Sequence, residues 1–232
     1  MKCYKLFIVI LTIGILINGC GLKENLGDVG GGEKMQEVSF KTDDGITILG
    51  DLYEGGEKGI ILLHMYKRTK ETWRDFAREL QEKGYSVLAI DLRGHGKSEL
   101  DYDDFNEQDF NNMILDVRAA KGFLGKEKNI VMGASIGANI AIKFVNEVEG
   151  AVALSPGFNY KGIETKGDAS EINKPVLIVV SDEDVMSVGD SRELNNLISN
   201  SKLEVYSGKG HGTNMLDKET KDMILKWLDE NF

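Results

Sequence analysis

From Gln36 onward the chain moves between two kinds of apolar pattern. Val38 and Phe40, then Ile46, Ile48 and Leu52, are spaced by polar residues, and Asp43-Asp44-Gly45 between the two runs is a hairpin turn signal. Short, nearly continuous apolar runs follow: Ile60 to Leu63, Tyr85 to Ile90, Asn129 to Met132, Ala151 to Leu154 and Val176 to Val180, with a last short strand at Leu203 to Tyr206. Runs of this length, rich in Val and Ile, suit strands buried on both faces of a parallel sheet. Helical stripes lie between them. Trp73, Phe76, Ala77 and Leu80 stand at i, i+3, i+4 and i+7, as do Phe110, Met113, Ile114 and Val117. Ile140, Ala141, Phe144, Val145 and Val148 form a third stripe, Leu194, Leu197 and Ile198 a fourth, and Leu216, Met223, Ile224, Trp227 and Leu228 the last. Their aromatic and methionine residues read as core. An antiparallel start followed by strand–helix alternation predicts an α/β fold, a mostly parallel sheet with helices on both faces. Pro156 to Lys174 has little apolar periodicity and predicts a loop. No internal repeat of solenoid period is visible.

Composition narrows the function classes. The 232 residues are 41% apolar and 28% charged, enough for one α/β domain with a sizeable core. A formal net charge of −10 argues against a protein that coats nucleic acid through its phosphates. Both cysteines, Cys3 and Cys20, stand at the extreme N-terminus. The body therefore has no disulfide framework, no cysteine-based zinc site and no cysteine nucleophile. Lys2 and Lys5 precede Leu6 to Ile17, apolar except for Thr12 and Gly14, which is the layout of a secretory signal. The run is shorter than the about 20 residues a spanning helix needs. Ile17-Asn18-Gly19-Cys20 resembles a lipobox, with Asn18 where a small residue is usual. The expectation is an exported protein held on the outer side of the cell membrane by a lipidated Cys20, with an uncleaved N-terminal anchor helix as the alternative. Gly21 to Lys34, with Gly30-Gly31-Gly32, reads as a flexible tether. The expected organisation is a signal or anchor over 1–20, a linker over 21–35 and a globular domain over 36–232. Membrane contact is expected through the N-terminus only.

A wound parallel sheet carries its working loops at the carboxyl ends of its strands. His64, His95 and His211 all follow expected strands, and the polar loops Gly133 to Gly137 and Ser181 to Asp184 do the same. Gly133-Ala134-Ser135-Ile136-Gly137 fits G-x-S-x-G between a buried strand and an amphipathic helix. Its glycines permit a turn too tight for side chains, and the serine is expected in a strained conformation. The Ile136 amide, opening the helix, points where an oxyanion would form. A serine hydroxyl needs a base. Only His211 lies beyond both Ser135 and an acid-bearing strand end, the order Ser, acid, His of one known triad class. The acid lies in Ser181-Asp182-Glu183-Asp184, where strand geometry does not choose between Asp182 and Asp184.

From Ile60 to Phe232, and more loosely from Gln36, the chain resembles the α/β-hydrolase superfamily, in its small serine-hydrolase branch of esterases, monoglyceride-lipase-like and serine-aminopeptidase-like proteins. Leu62-Leu63-His64-Met65-Tyr66 is similar to the family's strand-end His-Gly-x loop, and Asp91-Leu92-Arg93-Gly94-His95-Gly96-Lys97-Ser98 to its D-x-R-G-x-G-x-S loop. The resemblance implies an α/β-hydrolase fold and a Ser135–His211–Asp184 triad. Asp184 follows from the family's P-v-L-x-x-x-G-x-x-D pattern counted from Pro175, with Ser181 where glycine is usual. It also implies a second oxyanion amide from the loop in which Met65 replaces glycine, that of Tyr66 by motif alignment, with Met65 the other candidate. By the same token His64 braces that loop, and His95 with Arg93 steadies the loop behind the site. Gly96-Lys97-Ser98 mimics the end of a phosphate-binding loop, but Asp91 stands where that loop requires glycine. Many family members insert a helical cap where this chain has only Pro156 to Lys174, so an open, shallow pocket is expected. The function expected is hydrolysis of small-molecule carboxylic esters through an acyl-enzyme, with no metal and no cofactor. An acyltransferase, thioesterase or peptidase would use the same triad. A non-catalytic ligand-binding lipoprotein is a further class, disfavoured because Ser, Asp and His all fall at matching strand ends. The sequence carries no signal for oligomeric state.

Overall fold

Strand β1 (Gln36–Lys41) and strand β2 (Thr47–Tyr53) pair antiparallel across the Asp43-Asp44-Gly45 turn, where Gly45 takes φ +88°. The computed structural model describes residues 35–232, so the signal, lipobox and most of the tether expected in residues 1–34 lie outside the described residues. Strands β3 (Lys58–Leu63), β4 (Ser86–Ile90), β5 (Lys128–Ala134) and β6 (Gly150–Leu154) follow. After a two-stranded hairpin, β7 (Asn159–Tyr160) and β8 (Ile163–Glu164), come β9 (Val176–Ser181) and β10 (Ser201–Tyr206). The main sheet has the order β1-β2-β4-β3-β5-β6-β9-β10 and is parallel from β4 to β10. The helices are α1 (Arg74–Glu82), α2 (Glu107–Asn111), α3 (Met113–Leu124), α4 (Ile136–Phe144), α5 (Val188–Leu197) and α6 (Lys218–Asn231).

Period-two alternation divides the core. Ile61, Leu63, Val131 and Ile178 pack with Val117, Ile140, Phe144 and Leu194 of α3, α4 and α5. Ile60, Leu62, Ile130 and Met132 point the other way, onto Phe76 and Leu80 of α1 and Ile224 and Trp227 of α6. Each of these aliphatic side chains is removed from water, worth about 1.5–3 kcal/mol apiece. Together they hold the central strands rigid beneath the loops of the carboxyl edge.

The structure departs from the expected elements in several places. Phe110 and Met113 share a stripe but not a helix: α2 opens on a capping box of Asn106 with Asp109, and α3 restarts after Asn112, whose side-chain oxygen takes a bond from Gln108 Nε2. Leu216 precedes α6, because Asp217 caps the helix by accepting from the Thr220 amide at 3.0 Å. Helix α4 ends at Phe144, and Val145 begins a 3₁₀ turn. Residues 156–174 are more than the expected loop, since they contain β7–β8. Lys161 and Gly162 join those strands with φ +57° and +88°, positive at both central positions as in a type I′ turn.

The loop after β4 is built on buried charge. Asp91 accepts from the amides of Lys70 (2.9 Å) and Lys97 (3.0 Å), and its carboxylate lies 3.2 Å from the buried Lys70 ammonium. A side chain on Gly96, at φ +55°, would overlap that carboxylate. Ser98 donates to the Asp91 carbonyl (2.6 Å) and accepts from the Leu49 amide (2.9 Å). Arg93 reaches Asp116 of α3 through its amide and Nε, both at 2.8 Å, and grips Asp44 of the β1–β2 turn through both terminal nitrogens. The Arg93 bonds hold the Asp44 carboxyl down to about 2, whereas burial pushes Asp116 up to about 7 against the pull of Arg93. Among the described residues no helix is long and apolar enough to cross a membrane, and no group of His, Cys, Asp and Glu is arranged to hold a metal ion.

Candidate active site

Strand β5 delivers Ser135 to the carboxyl edge, and α4 begins at the next residue. Ser135 sits at φ 54°, ψ −117°, a conformation that ordinary L residues avoid. Close backbone approach imposes it. A Cβ on Gly133 would overlap the Gly137 carbonyl, and one on Gly137 would stand 2.5 Å from the Leu63 oxygen and 2.7 Å from that of His64. The elbow is thereby pressed against the end of β3, which sets the His64-Met65-Tyr66 loop beside the serine. Neither the Tyr66 amide nor the Ile136 amide donates to another protein group among the described residues. Both are available to a ligand oxygen.

His64 braces this loop from inside. Its Nδ1 donates to the Met65 carbonyl (2.7 Å), so its Nε2 is the acceptor for the Leu92 amide (3.0 Å). His95, with Nδ1 against the Arg93 carbonyl at 3.1 Å, packs its ring on His64, Tyr66 and Tyr102. Burial lowers the pKa of both imidazoles, that of His64 to about 4 with His95 adding to the shift. Neither faces the cleft as a base. Met65, where the sequence resemblance expects glycine, turns its thioether onto Gly212, and a side chain at Gly212 would overlap the sulfur. The larger residue in one loop is matched by the glycine that follows His211 in the other.

The loop after β10 is fastened residue by residue to the end of β9. Ser207 donates to Asp182 (2.6 Å), the Lys209 amide to Ser181 Oγ (3.2 Å), and the Gly210 amide to Glu183 (2.8 Å). His211 Nδ1 bonds Asp184 Oδ2 at 2.7 Å, and the Gly212 amide donates to Ser155 Oγ at 3.0 Å. All three carboxylates of the acidic run are used, each for a different partner. Asp184 meets the imidazole and Asp182 serves a surface hydroxyl. Because the carboxylate can only accept, the His211 proton belongs on Nδ1, leaving the Nε2 lone pair unspent.

Ser135 and His211 line one open cleft of about 320 Å³ together with Met65, Tyr66, Arg68 and Asn214. The sequence reading missed its neighbours. Tyr160, carried by the β7–β8 hairpin, sets its ring edge-on to His211 with centroids 6.5 Å apart, and its hydroxyl lies 2.8 Å from Ser187 Oγ. Burial raises its phenol pKa, while the hydroxyls of Ser187 and Ser135 pull it back. Ser155, at φ +54°, follows β6 and steadies Gly212. Only a pattern within residues 156–174 could have signalled Tyr160, and Tyr160-Lys161-Gly162 lacks the Asn-Gly or Asp-Gly of the usual hairpin signal.

The sheet order, the strained serine between β5 and α4, and the acid and histidine loops after β9 and β10 can be set beside known proteins. The Pyrococcus furiosus esterase PF2001 superposes with a TM-score of 0.75 at 22% identity, covering 85% of this chain and 91% of that one. The chain has the α/β-hydrolase fold. Residues 57–165 of this chain match the family model described as serine aminopeptidase, S33. The AB hydrolase superfamily protein YisY of Bacillus subtilis is 31% identical over 113 residues, 48% of this chain and 40% of that protein. ABHD14B of Rattus norvegicus is 27% identical over 184 residues, 74% of this chain and 83% of the relative. The matched stretch thus spans two fifths of YisY but most of ABHD14B.

The His64 brace makes stability depend on pH in a defined window. Its folded-state pKa of about 4 lies below the ordinary 6.5, so the neutral ring's contribution is complete above pH 6.5 and is lost as pH falls through about 4. The shift corresponds to a loss on the order of 3 kcal/mol. Urea midpoints of wild type and His64→Gln, measured from neutral pH downward, should converge across this window. Parallel profiles would show that His64 is not the titrating group.

Proposed function

We propose that this protein is a serine hydrolase that cleaves carboxylic esters of small or extended substrates through an acyl-enzyme. The observation that carries the reading is one open cleft lined by a strained Ser135 and by a His211 bonded to Asp184. Ser135 Oγ attacks the acyl carbon as its proton passes to His211 Nε2, while Asp184 fixes the imidazole and balances its charge. The carbonyl oxygen becomes an oxyanion held by the Ile136 and Tyr66 amides, where the α4 dipole favours negative charge. Collapse breaks the ester C–O bond, and the departing oxygen takes the proton from Nε2. Water then repeats the sequence on the acyl-serine, giving the free acid and restoring Ser135. The esterase of the same fold from Pyrococcus furiosus is consistent with this reading. The small β7–β8 hairpin in place of a larger cap favours short or extended substrates over an engulfed acyl chain.

Ser135→Ala should abolish fluorophosphonate labelling and ester turnover while leaving thermal unfolding intact. Undiminished turnover would end the serine mechanism. Asp184→Asn should lower kcat on the order of 10⁴-fold, the loss that follows when a triad's orienting carboxylate is neutralised. Asp182→Asn should have a small effect, because that carboxylate serves Ser207. The reverse ranking would transfer the role to Asp182.

The export reading belongs to the same proposal. Lys2, Lys5, the apolar run and Cys20 support a lipoprotein held at the outer side of the cell membrane through its N-terminus. The acidic body would add little attraction to anionic lipid. Wild-type protein should fractionate with membranes and resist high salt, which screens charge but does not extract acyl chains. Cys20→Ser should release it. A variant that stays fully membrane-bound would replace lipidation with an uncleaved anchor.

A further inference from the structure

Two lysines occupy backbone positions that turns ordinarily give to glycine or asparagine. Lys67 is the third residue of the turn closed by the Arg68 amide on the Met65 carbonyl (3.0 Å), and it takes φ +57°. Positive φ at this position marks a type II turn. Lys161 takes φ +57° in the first central position of the β7–β8 turn, where type I′ geometry favours asparagine. Glycine fills nine other positive-φ positions in the described residues, so the chain has that solution at hand. Strain of this kind tends to persist where a side chain is needed.

The two turns come from different parts of the chain and bring their charges to one ring. Lys67 Nζ lies 5.5 Å and Lys161 Nζ 4.8 Å from the centre of Tyr66, the residue whose amide borders the cleft. Arg68, next in chain, lines the cleft with Ser135 and His211. All three are exposed, and among the described residues none has a carboxylate within ion-pair distance. Glu107 packs beneath Gly162 without pairing with Lys161. A protein of net charge −10 thus presents a cationic rim at its candidate active site.

The geometry points to a substrate that carries an anionic group, a carboxylate or phosphate, a short distance from the scissile acyl bond. This inference rests on the serine-hydrolase reading and deepens it. Lys67, Lys161 and Arg68 would attract and orient that group, with the Tyr66 ring holding the two ammonium groups in place. The anion could belong to the acyl or to the alcohol portion.

The test compares kcat/KM within two pairs of esters, for wild type and for the triple variant Lys67→Asn, Arg68→Gln, Lys161→Asn. Asparagine tolerates both left-handed positions, so the turns are retained. Mono-para-nitrophenyl glutarate against para-nitrophenyl butyrate places the charge on the acyl side. Para-acetoxybenzoate against para-acetoxybenzamide places it on the alcohol side. In one pair or the other, the anionic-to-neutral ratio should be on the order of tenfold higher in wild type at low salt, and the difference should shrink as salt is added. Arg68→Lys alone, which keeps the charge, should retain the wild-type ratio. Ratios equal in wild type and triple variant for both pairs would overturn the inference while leaving the hydrolase reading intact. If wild type turned over none of the four esters, slowing of fluorophosphonate labelling by free glutarate, stronger in wild type than in the triple variant, would carry the same comparison. Equal slowing would overturn the inference. Absence of both turnover and labelling would instead sink the hydrolase reading and this inference with it.

Discussion

Backbone must lie against backbone where β5 turns into α4. Gly133 has no room for a side chain because the Gly137 carbonyl occupies that space, and Gly137 has none because the ends of β3 and its loop do. Three consequences follow from this one contact. Ser135 is forced into a left-handed conformation that lifts its hydroxyl off the sheet. The Ile136 amide becomes the first of a helix, with no acceptor of its own. The His64-Met65-Tyr66 loop is held beside the serine, so that a second amide can converge on the same point. The two glycines are structural in what they touch, yet they determine the geometry of the candidate site.

The opposite wall of the cleft depends on a different device. A glycine-rich loop such as the one that carries His211 is free to move unless it is tied, and Gly208, Gly210 and Gly212 all take positive φ. The chain ties it with consecutive acceptors from Ser181 to Asp184, so the histidine is the last rung of a ladder and not an isolated pair. This accounts for Ser181 in place of the glycine that the family pattern suggests, since its hydroxyl takes the Lys209 amide. It also shows why an acidic triplet alone left two candidate acids. Asp182 and Asp184 differ only in which side of the ladder they reach, and that depends on how the strand end turns.

The sheet was legible because its strands are continuous Val- and Ile-rich runs bounded by turns, and burial on both faces permits little else. Ser135 and His211 were legible because a motif between strand and helix, together with chain order, constrains them. Asp116 was not. It sits on the buried side of α3 with Val117 and Ala120, where a carboxylate contradicts the apolar stripe, and only the distant Arg93 makes sense of it. Tyr160 was hidden for another reason. Its hairpin is two residues per strand, shorter than any periodicity can reveal, and its turn uses lysine where asparagine would have announced it. Paired charges far apart in sequence and strained turns share this property: their cause lies in tertiary structure.

Among the described residues, the non-glycine positions at positive φ are Lys67, Leu100, Ser135, Ser155 and Lys161. Apart from Leu100, each stands at the cleft or supports a residue that does. A left-handed L residue costs roughly 1–2 kcal/mol, so four of them amount to a sizeable fraction of the 5–15 kcal/mol by which a domain is stable. Such strain would relax if the surrounding elements could shift, and here they cannot. Ser135 is held between two glycine contacts, Ser155 between the Gly212 amide that donates to its hydroxyl and the Val179 carbonyl of β9 that accepts from its own amide, and the lysine turns between an aromatic cluster and the hairpin register. Behind them the sheet is packed on both faces, and Asp91 and Arg93 lock the neighbouring loop through buried ionic bonds. The strain is concentrated at the carboxyl edge because that is where side chains, not merely backbone, are required at sharp turns. The rigidity that sustains it is supplied by strands and salt bridges that lie behind the cleft.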